Sequence, residues 1–176
     1  MTGIRIVDAV DRFDSALFVA QTHAILEGLV AGGAALGWVA PPTLDAVAAL
    51  LSEVGLAALA GDAAVRATYD GPQLVGVGYW RRYTRPTHHP HADLEKVAVD
   101  DRAQARGLGR ALTAALVEAA RERGIEVLTL DARGDNDKAL KLYRSLGFVE
   151  YGRLVDFVAV GERRYDKVLY ALDLRH

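Results

Sequence analysis

Val97-Ala-Val-Asp-Asp-Arg-Ala-Gln-Ala-Arg-Gly-Leu-Gly-Arg110 is the stretch on which the reading of the whole chain turns. It opens on β-branched and apolar residues, passes through Gln104-x-x-Gly107-x-Gly109, and runs on as Ala111-Leu-Thr-Ala-Ala-Leu-Val117. The pattern predicts a strand, a glycine-containing loop and a helix. At such a junction the first N–H groups of the helix lack internal partners, and the helix dipole adds positive potential. The junction therefore suits an anion, a phosphate above all. Gly107 and Gly109 carry no Cβ, so backbone can approach a bulky group closely. Arg106 and Arg110 would add charge-assisted bonds. The spacing is neither the G-x-G-x-x-G of dinucleotide loops nor the G-K-[ST] of nucleotide triphosphatases. A junction that serves packing alone has the same pattern, so spacing leaves both readings open.

Upstream, residues 4–7 read as a first strand. Asp11 or Asp14 is placed to cap the helix that follows. Phe13, Leu17, Ala20 and Ala24 recur at helical spacing, with Phe18, Ile25 and Leu29 widening the apolar face. Gly32, Gly33 and Gly37 loosen the chain. Pro41-Pro42-Thr43 then opens a second helix bearing Leu44, Val47, Leu51 and Val54, which ends near Gly55 or Gly61. Strands over 64–69 and 73–83 flank the turn signal Asp70-Gly71-Pro72 and predict a hairpin. In the second of them Tyr79 and Tyr83 share one face and Trp80 takes the other. A loop over 84–91 precedes the strand at 92–99.

Downstream, Leu108, Leu112, Leu116 and Ala119 form one helix face, which stops at Gly124. A strand over 125–131, a helix over 137–146 closed by Gly147, and an antiparallel pair over 148–160 and 164–174 complete the chain. The alternation of strands and helices predicts a mixed α/β layer architecture. With no repeat, low-complexity run or linker, residues 1–176 read as one domain. The final strands, as an exposed edge, are where a homodimer would pair.

The chain has 176 residues, 51% of them hydrophobic, and a formal net charge of −2. That composition excludes a largely disordered chain and gives no footprint for nucleic acid or an anionic membrane. The apolar run over 24–40 is broken by Glu27 and several glycines, so no membrane span is expected. The first residues lack the apolar run of a signal peptide, which with the absent cysteines fits a cytoplasmic protein. Without cysteine there is no disulfide, thiol nucleophile or Cys-based metal site. His88-His89-Pro90-His91 fits no structural zinc spacing, so a solvated loop is expected and no metal. His23 reads as a surface or half-buried residue.

Two stretches taken together resemble the GCN5-related N-acetyltransferases (GNAT). One is Gln104-x-x-Gly107-x-Gly109 after its apolar strand. The other is Asn136-Asp-Lys-Ala139-Leu-Lys-Leu-Tyr143-Arg-Ser-Leu-Gly147-Phe148. The resemblance spans roughly residues 73–173, and residues 1–72 share only the layout. It implies a mixed sheet splayed between two parallel strands, with helices on both faces. It also implies acetyl-CoA as co-substrate. Val97, Ala98 and Val99 would then hold the pantetheine arm. The N–H groups of Ala105, Arg106, Gly107, Leu108, Gly109 and Arg110 would hold the diphosphate beside Gln104, and Asn136 would touch the cofactor.

By the same resemblance Tyr143 is the general acid for the leaving thiolate; a phenol's ordinary pKa of about 10 suits that task. The base stays open between Glu95, Asp131 and water. Asp131 matches an acidic residue of ribosomal-protein N-acetyltransferases, and tabtoxin-resistance acetyltransferases carry a similar acidic pair and tyrosine. Glu95 has the strand parity of Asp93, Val97 and Val99, which predicts one shared face. Each carboxylate is equally suited to an ion pair: Glu95 with Lys96 or Arg106, Asp131 with Arg133. The expected reaction is direct transfer to a primary amine, preferably a small molecule. The alternatives are a protein N-terminal acetyltransferase, a non-catalytic acyl-CoA sensor, or a nucleotide-binding module.

Overall fold

Thr43 caps one helix and Pro41-Pro42 isolates it from another, so the chain places two helices before its second strand. The computed structural model describes residues 3–175. Met1, Thr2 and His176, the ends of the expected domain, lie outside the described residues. In chain order the elements are β1 (Ile4–Asp8), α1 (Ala16–Ala31), α2 (Leu44–Leu59), β2 (Ala63–Asp70), β3 (Gln73–Arg82) and β4 (His91–Val99). They continue as α3 (Leu108–Glu122), β5 (Val127–Arg133), α4 (Asp137–Ser145), β6 (Val149–Val160) and β7 (Arg163–Asp173). The seven strands form one sheet in the order β1-β2-β3-β4-β5-β7-β6.

Among the described residues only β4 and β5 run parallel, and their pairing lasts from His91↔Val127 to Asp93↔Thr129. Beyond Asp93 the two strands part, which opens the sheet at its centre. Apolar side chains cover both faces. Phe18, Leu26, Val47, Leu51 and Val54 of α1 and α2 pack on Val65, Val77 and Tyr79. Leu112 and Leu116 of α3 pack with Trp80, Leu128, Val168 and Tyr170 on the other face. Trp80 is thus opposite Tyr79, as the alternation predicts, and fully buried.

Four expectations need correction. Ser15, not Asp11 or Asp14, caps α1, its Oγ accepting from the Phe18 N–H at 3.4 Å. Phe13 therefore precedes the helix, and a stripe phased from it is out of register. The buried face runs through Phe18, Thr22, Ile25, Leu26 and Leu29, while Leu17 is 66% exposed. Gly55 lies inside α2 rather than at its end. A Cβ there would stand 2.5 Å from the Phe13 ring, so the glycine is the seat for that ring. Finally, β7 is not an edge: β5 and β6 flank it, and β6 is outermost.

A fifth correction bears on the site. In the β3–β4 ladder Tyr79 faces Glu95 and Val77 faces Ala98, so Gly78 alone opposes both Lys96 and Val97. This is a β-bulge, with Lys96 at φ 49°. One extra residue reverses the alternation of side chains. Glu95 therefore stands on the Tyr79 face, and Val97 packs on the opposite face against the α3 cluster. The shared parity of Glu95 with Val97 and Val99 does not survive the bulge. Gly78 makes room for it: a Cβ there would lie 3.3 Å from the Val97 Cα.

Candidate active site

Where β4 and β5 part, a cavity of about 800 Å³ opens. Val97, Ala98 and Val99 form one wall, Gln104, Ala105, Gly107, Leu108, Gly109 and Arg110 the mouth, and Asn136 and Tyr143 the opposite wall. The two motifs far apart in sequence thus enclose one space. Because the β5 pairing has ended, the β5-facing backbone edge of β4 beyond Asp93 meets this space without a strand partner among the described residues.

Gly107 is the residue before α3, in the left-handed region at φ 73°, and it offers no capping side chain. The Ala111 N–H is bonded to the Gly107 carbonyl at 3.1 Å. The N–H groups of Leu108, Gly109 and Arg110 precede that bond and have no intrahelical acceptor, which leaves them for an anion. Gly109 has a packing role as well: a Cβ would stand 3.3 Å from Leu142 of α4. Gln104 fastens the loop, its Nε2 donating to Asp101 Oδ1 at 2.6 Å and to the Val99 carbonyl at 3.4 Å. Arg110 Nε donates to Ser145 Oγ at 3.3 Å and ties α3 to α4. The side chain of Arg106 is not at the mouth. It turns to Asp70, with Nη1 at 2.7 Å from Oδ2, so only its backbone remains at the loop.

Asn136 both lines the cavity and caps α4, its Oδ1 accepting from the Ala139 N–H at 3.2 Å. The Tyr143 ring meets Phe148 edge-on at 5.8 Å and Tyr170 at 6.4 Å. Burial, helped by the charge of Asp131, pushes its hydroxyl up to about 12. Tyr143 therefore keeps its proton throughout the neutral range.

Sequence reasoning missed three cationic side chains on this cavity: Arg133, Lys138 and Lys141. The spacing of Lys138 and Lys141 on one helix face was the available signal. Arg133 bonds Asp135 at 2.6 Å and the Gly33 carbonyl at 3.3 Å, joining the end of β5 to the loop between α1 and α2. That loop, the glycine-rich connection whose variability suits a role in acceptor choice, brings Gly33, Ala34 and Leu36 to this first cavity.

A second cavity of about 630 Å³ includes Glu53, Arg81, Tyr83, His89, Asp93 and Glu95 in its lining. Glu95 accepts from the Tyr79 hydroxyl at 3.2 Å and from Arg81 Nε at 3.1 Å. Its ion-pair partner is thus Arg81, not Lys96 or Arg106. Arg81 also reaches Glu53 at 2.6 Å. Burial, with Glu95 second, pushes the Tyr79 hydroxyl far above the ordinary phenol range. Asp131 lines neither cavity; it pairs with Lys167 at 3.2 Å, while Arg133 is turned to Asp135. His89 Nε2 lies 3.6 Å from Asp62, and the His88 ring meets Tyr83. His23 Nε2 lies 3.0 Å from the Pro42 carbonyl.

Asp93 accepts from Thr129 Oγ1 at 2.6 Å, and Thr129 is also bonded to the Tyr83 hydroxyl. Burial pushes Asp93 up to about 6; Glu95 and Asp131 add to the rise and the Thr129 bond opposes it. A carboxyl raised on folding holds its proton better in the native than in the unfolded chain. Between its ordinary value of 3.8 and about 6, rising pH therefore removes stability. Asp93→Asn is expected to flatten that segment of a plot of Tm against pH while keeping the Thr129 contact. An unchanged slope in thermal melts of the variant would remove Asp93 as its source.

Among the described residues no helix is long and apolar enough to cross a membrane. The family model for the acetyltransferase (GNAT) family matches residues 46–148. The [ribosomal protein bS18]-alanine N-acetyltransferase of Escherichia coli strain K12 is 37% identical over 83 residues, which are 47% of this chain and 56% of that protein. The match thus spans little more than half the length of that relative. An N-acetyltransferase from Staphylococcus aureus Mu50 has the same fold, with TM-score 0.84 at 18% identity over 98% of this chain and 99% of that one. So has yncA of Salmonella typhimurium, solved with its cofactor acetyl-CoA, with TM-score 0.81 at 22% identity over 99% of this chain and 95% of that one. More than half of the chain lies inside the family match, both motifs fall within it, and they fold into the walls of one cavity: the chain belongs to the acetyltransferase (GNAT) family.

Proposed function

We propose that residues 1–176 act as one acetyl-CoA-dependent N-acetyltransferase domain, which moves an acetyl group to a primary amine by direct attack in a ternary complex. The observation that carries this reading is the first cavity, with the uncapped start of α3 at one end and Tyr143 in its lining. The presence of acetyl-CoA in yncA, which shares the fold, supports it. When bound, acetyl-CoA supplies an activated acetyl thioester. The first-turn amides of α3 hold the diphosphate, with Lys138 and Lys141 adding charge at the same cavity. The free edge of β4 from Val97 to Val99 hydrogen-bonds the pantetheine arm and donates to the thioester oxygen as negative charge develops there. Tyr143 donates to the departing sulfur. The chain has no cysteine, so direct attack needs no thiol intermediate.

The acceptor in this reading enters from the second cavity, whose size suits a small amine. Glu95 lines that cavity and takes the ammonium proton through water; Asp131, on the far side of the split, is the alternative base. A second reading, acetylation of a protein N-terminus, is favoured by the likeness to the bS18-alanine enzyme. Use of acetyl-CoA puts the work in the cytoplasm, and a second copy pairs along β6, where Val149, Tyr151, Val155 and Phe157 are exposed.

The test is calorimetry and thermal melting with CoA and acetyl-CoA, followed by thiol release with small amines and with an alanine-initiated peptide. Ligand at a hundred times its Kd should stabilise the fold by about 2.7 kcal/mol. No heat and no shift in Tm with any CoA derivative would end this reading. Binding without turnover on either acceptor class would leave an acyl-CoA sensor.

A further inference from the structure

Lysine is scarce in this chain: Lys96, Lys138, Lys141 and Lys167 stand among 21 basic side chains. Lys138 and Lys141 line the first cavity and Lys167 is paired with Asp131. Lys96 differs from all three. It is the bulge residue of β4, and it is half-buried with no ion pair among the described residues. Its side chain crosses to the loop between α1 and α2. Nζ stands 4.7 Å from the Trp38 ring centroid, and 3.3 Å from where a Cβ on Gly37 would lie.

Val97, next to Lys96 in β4, and Leu36, next to Gly37 in the loop that Nζ reaches, line the first cavity. The groups facing its charge are Glu95, Asp93 and Asp131, which favour the ammonium, and Arg81, which opposes it. Burial outweighs the three carboxylates and lowers its pKa, so more of it is neutral than of a surface lysine. An amine in this state, beyond the point where β4 and β5 part, stands beside two stretches that wall the first cavity, β4 and the loop between α1 and α2. An arginine in its place could not lose its proton to react.

We propose that Lys96 is itself an acetyl acceptor, modified by acetyl-CoA bound in the same chain when no amine fills the second cavity. The inference rests on the reading that acetyl-CoA occupies the first cavity. The ammonium first yields one proton to Glu95 or solvent. The Nζ lone pair then forms the C–N bond, the thioester C–S bond breaks, and Nζ loses a second proton to become an amide. Tyr143 donates a proton to the thiolate and is reprotonated from solvent. The sum is ammonium plus thioester giving amide, thiol and one proton. The amide is uncharged, so the attraction of Lys96 for the Trp38 ring is lost and the loop carrying Trp38 is released.

The experiment incubates the purified full chain with acetyl-CoA alone and maps acetylated peptides by mass spectrometry. One acetyl group at Lys96 is expected, ahead of the other three lysines and at a rate independent of protein concentration. It should be absent from urea-denatured chain and from Lys96→Arg, slower in Tyr143→Phe, and suppressed by any amine the enzyme acetylates. Acetyl spread evenly over all four lysines overturns the proposal. So does an unmodified Lys96 in protein that binds CoA and acetylates an added amine, an outcome that leaves the proposed function standing. Absence of CoA binding overturns both. Retention of the CoA-induced rise in Tm by Lys96→Arg shows that the variant folds; should it not fold, the label map of the unaltered chain decides alone.

Discussion

Tyr143→Phe is expected to lower kcat by about 10²–10³-fold, the range found when a single transition-state donor is removed. KM for acetyl-CoA should stay nearly unchanged. The substitution deletes one oxygen and keeps the ring, whose contacts with Phe148 and Tyr170 hold it in the second apolar cluster. Fold and cofactor binding are therefore preserved, and the loss falls on the step in which sulfur departs. With its pKa pushed up to about 12, the hydroxyl holds its proton more tightly than a free thiol would. In the proposed role it would act first as a hydrogen-bond donor to the growing negative charge and release the proton late. The same rise predicts that the alkaline fall of kcat, where it reflects Tyr143, begins above the ordinary phenol range. Full kcat in the Phe variant, measured by thiol release at saturating acetyl-CoA and amine, would reduce Tyr143 to a packing residue.

The largest loss of stability is expected from Trp80→Ala. Trp80 is fully buried and heads the largest such side chains of the molecule. It lies on β3 beneath α3, and its Nε1–H donates to the Leu116 carbonyl at 3.1 Å. Deleting it removes a large apolar surface and leaves a cavity under the helix that carries the proposed anion site, at about 3–5 kcal/mol. For a chain of this size that corresponds to roughly 6–20 °C in Tm. Trp80→Phe should lose less, since a phenyl ring keeps part of the packing while the rest of the indole and its Nε1 bond go. Thermal and urea melts provide the measurement. A change below about 1 kcal/mol for the alanine variant would mean that the cluster collapses to fill the gap.

Both predictions stand on features legible in the sequence. Trp80 and Tyr79 follow strand alternation without interruption, so their faces could be read from parity alone. The two motifs mark their helix starts, Gly107 before α3 and the capping Asn136 before α4. What stayed hidden has a common physical character. The bulge at Lys96 is one extra residue with a positive φ on a side chain that gives no warning of it, and Gly78 on the partner strand was the only hint. It moved Glu95 to the other face. The phase of α1 was misread because Phe13 continues a helical spacing while lying outside the helix. Arg106 was assigned to the phosphate because its neighbours are there. Its partner Asp70 sits on β2, 36 residues away, and no local pattern announces such a contact. The placement of Arg133, Lys138 and the loop at Gly33 likewise depends on how β4 and β5 diverge, which is a tertiary property.

Most helices of this chain are closed at the start by one of their own residues: Ser15, Thr43 and Asn136 each lend an oxygen. α3 alone among the α-helices begins on a glycine that lends none. A diphosphate seated there would finish the helix as those side chains finish theirs, so the nucleotide would become a structural part as well as a reactant. The folded population, and with it resistance to proteolysis, would then track the supply of CoA species in the cell. A starved cell would hold less of this protein through faster turnover, with no change in its synthesis.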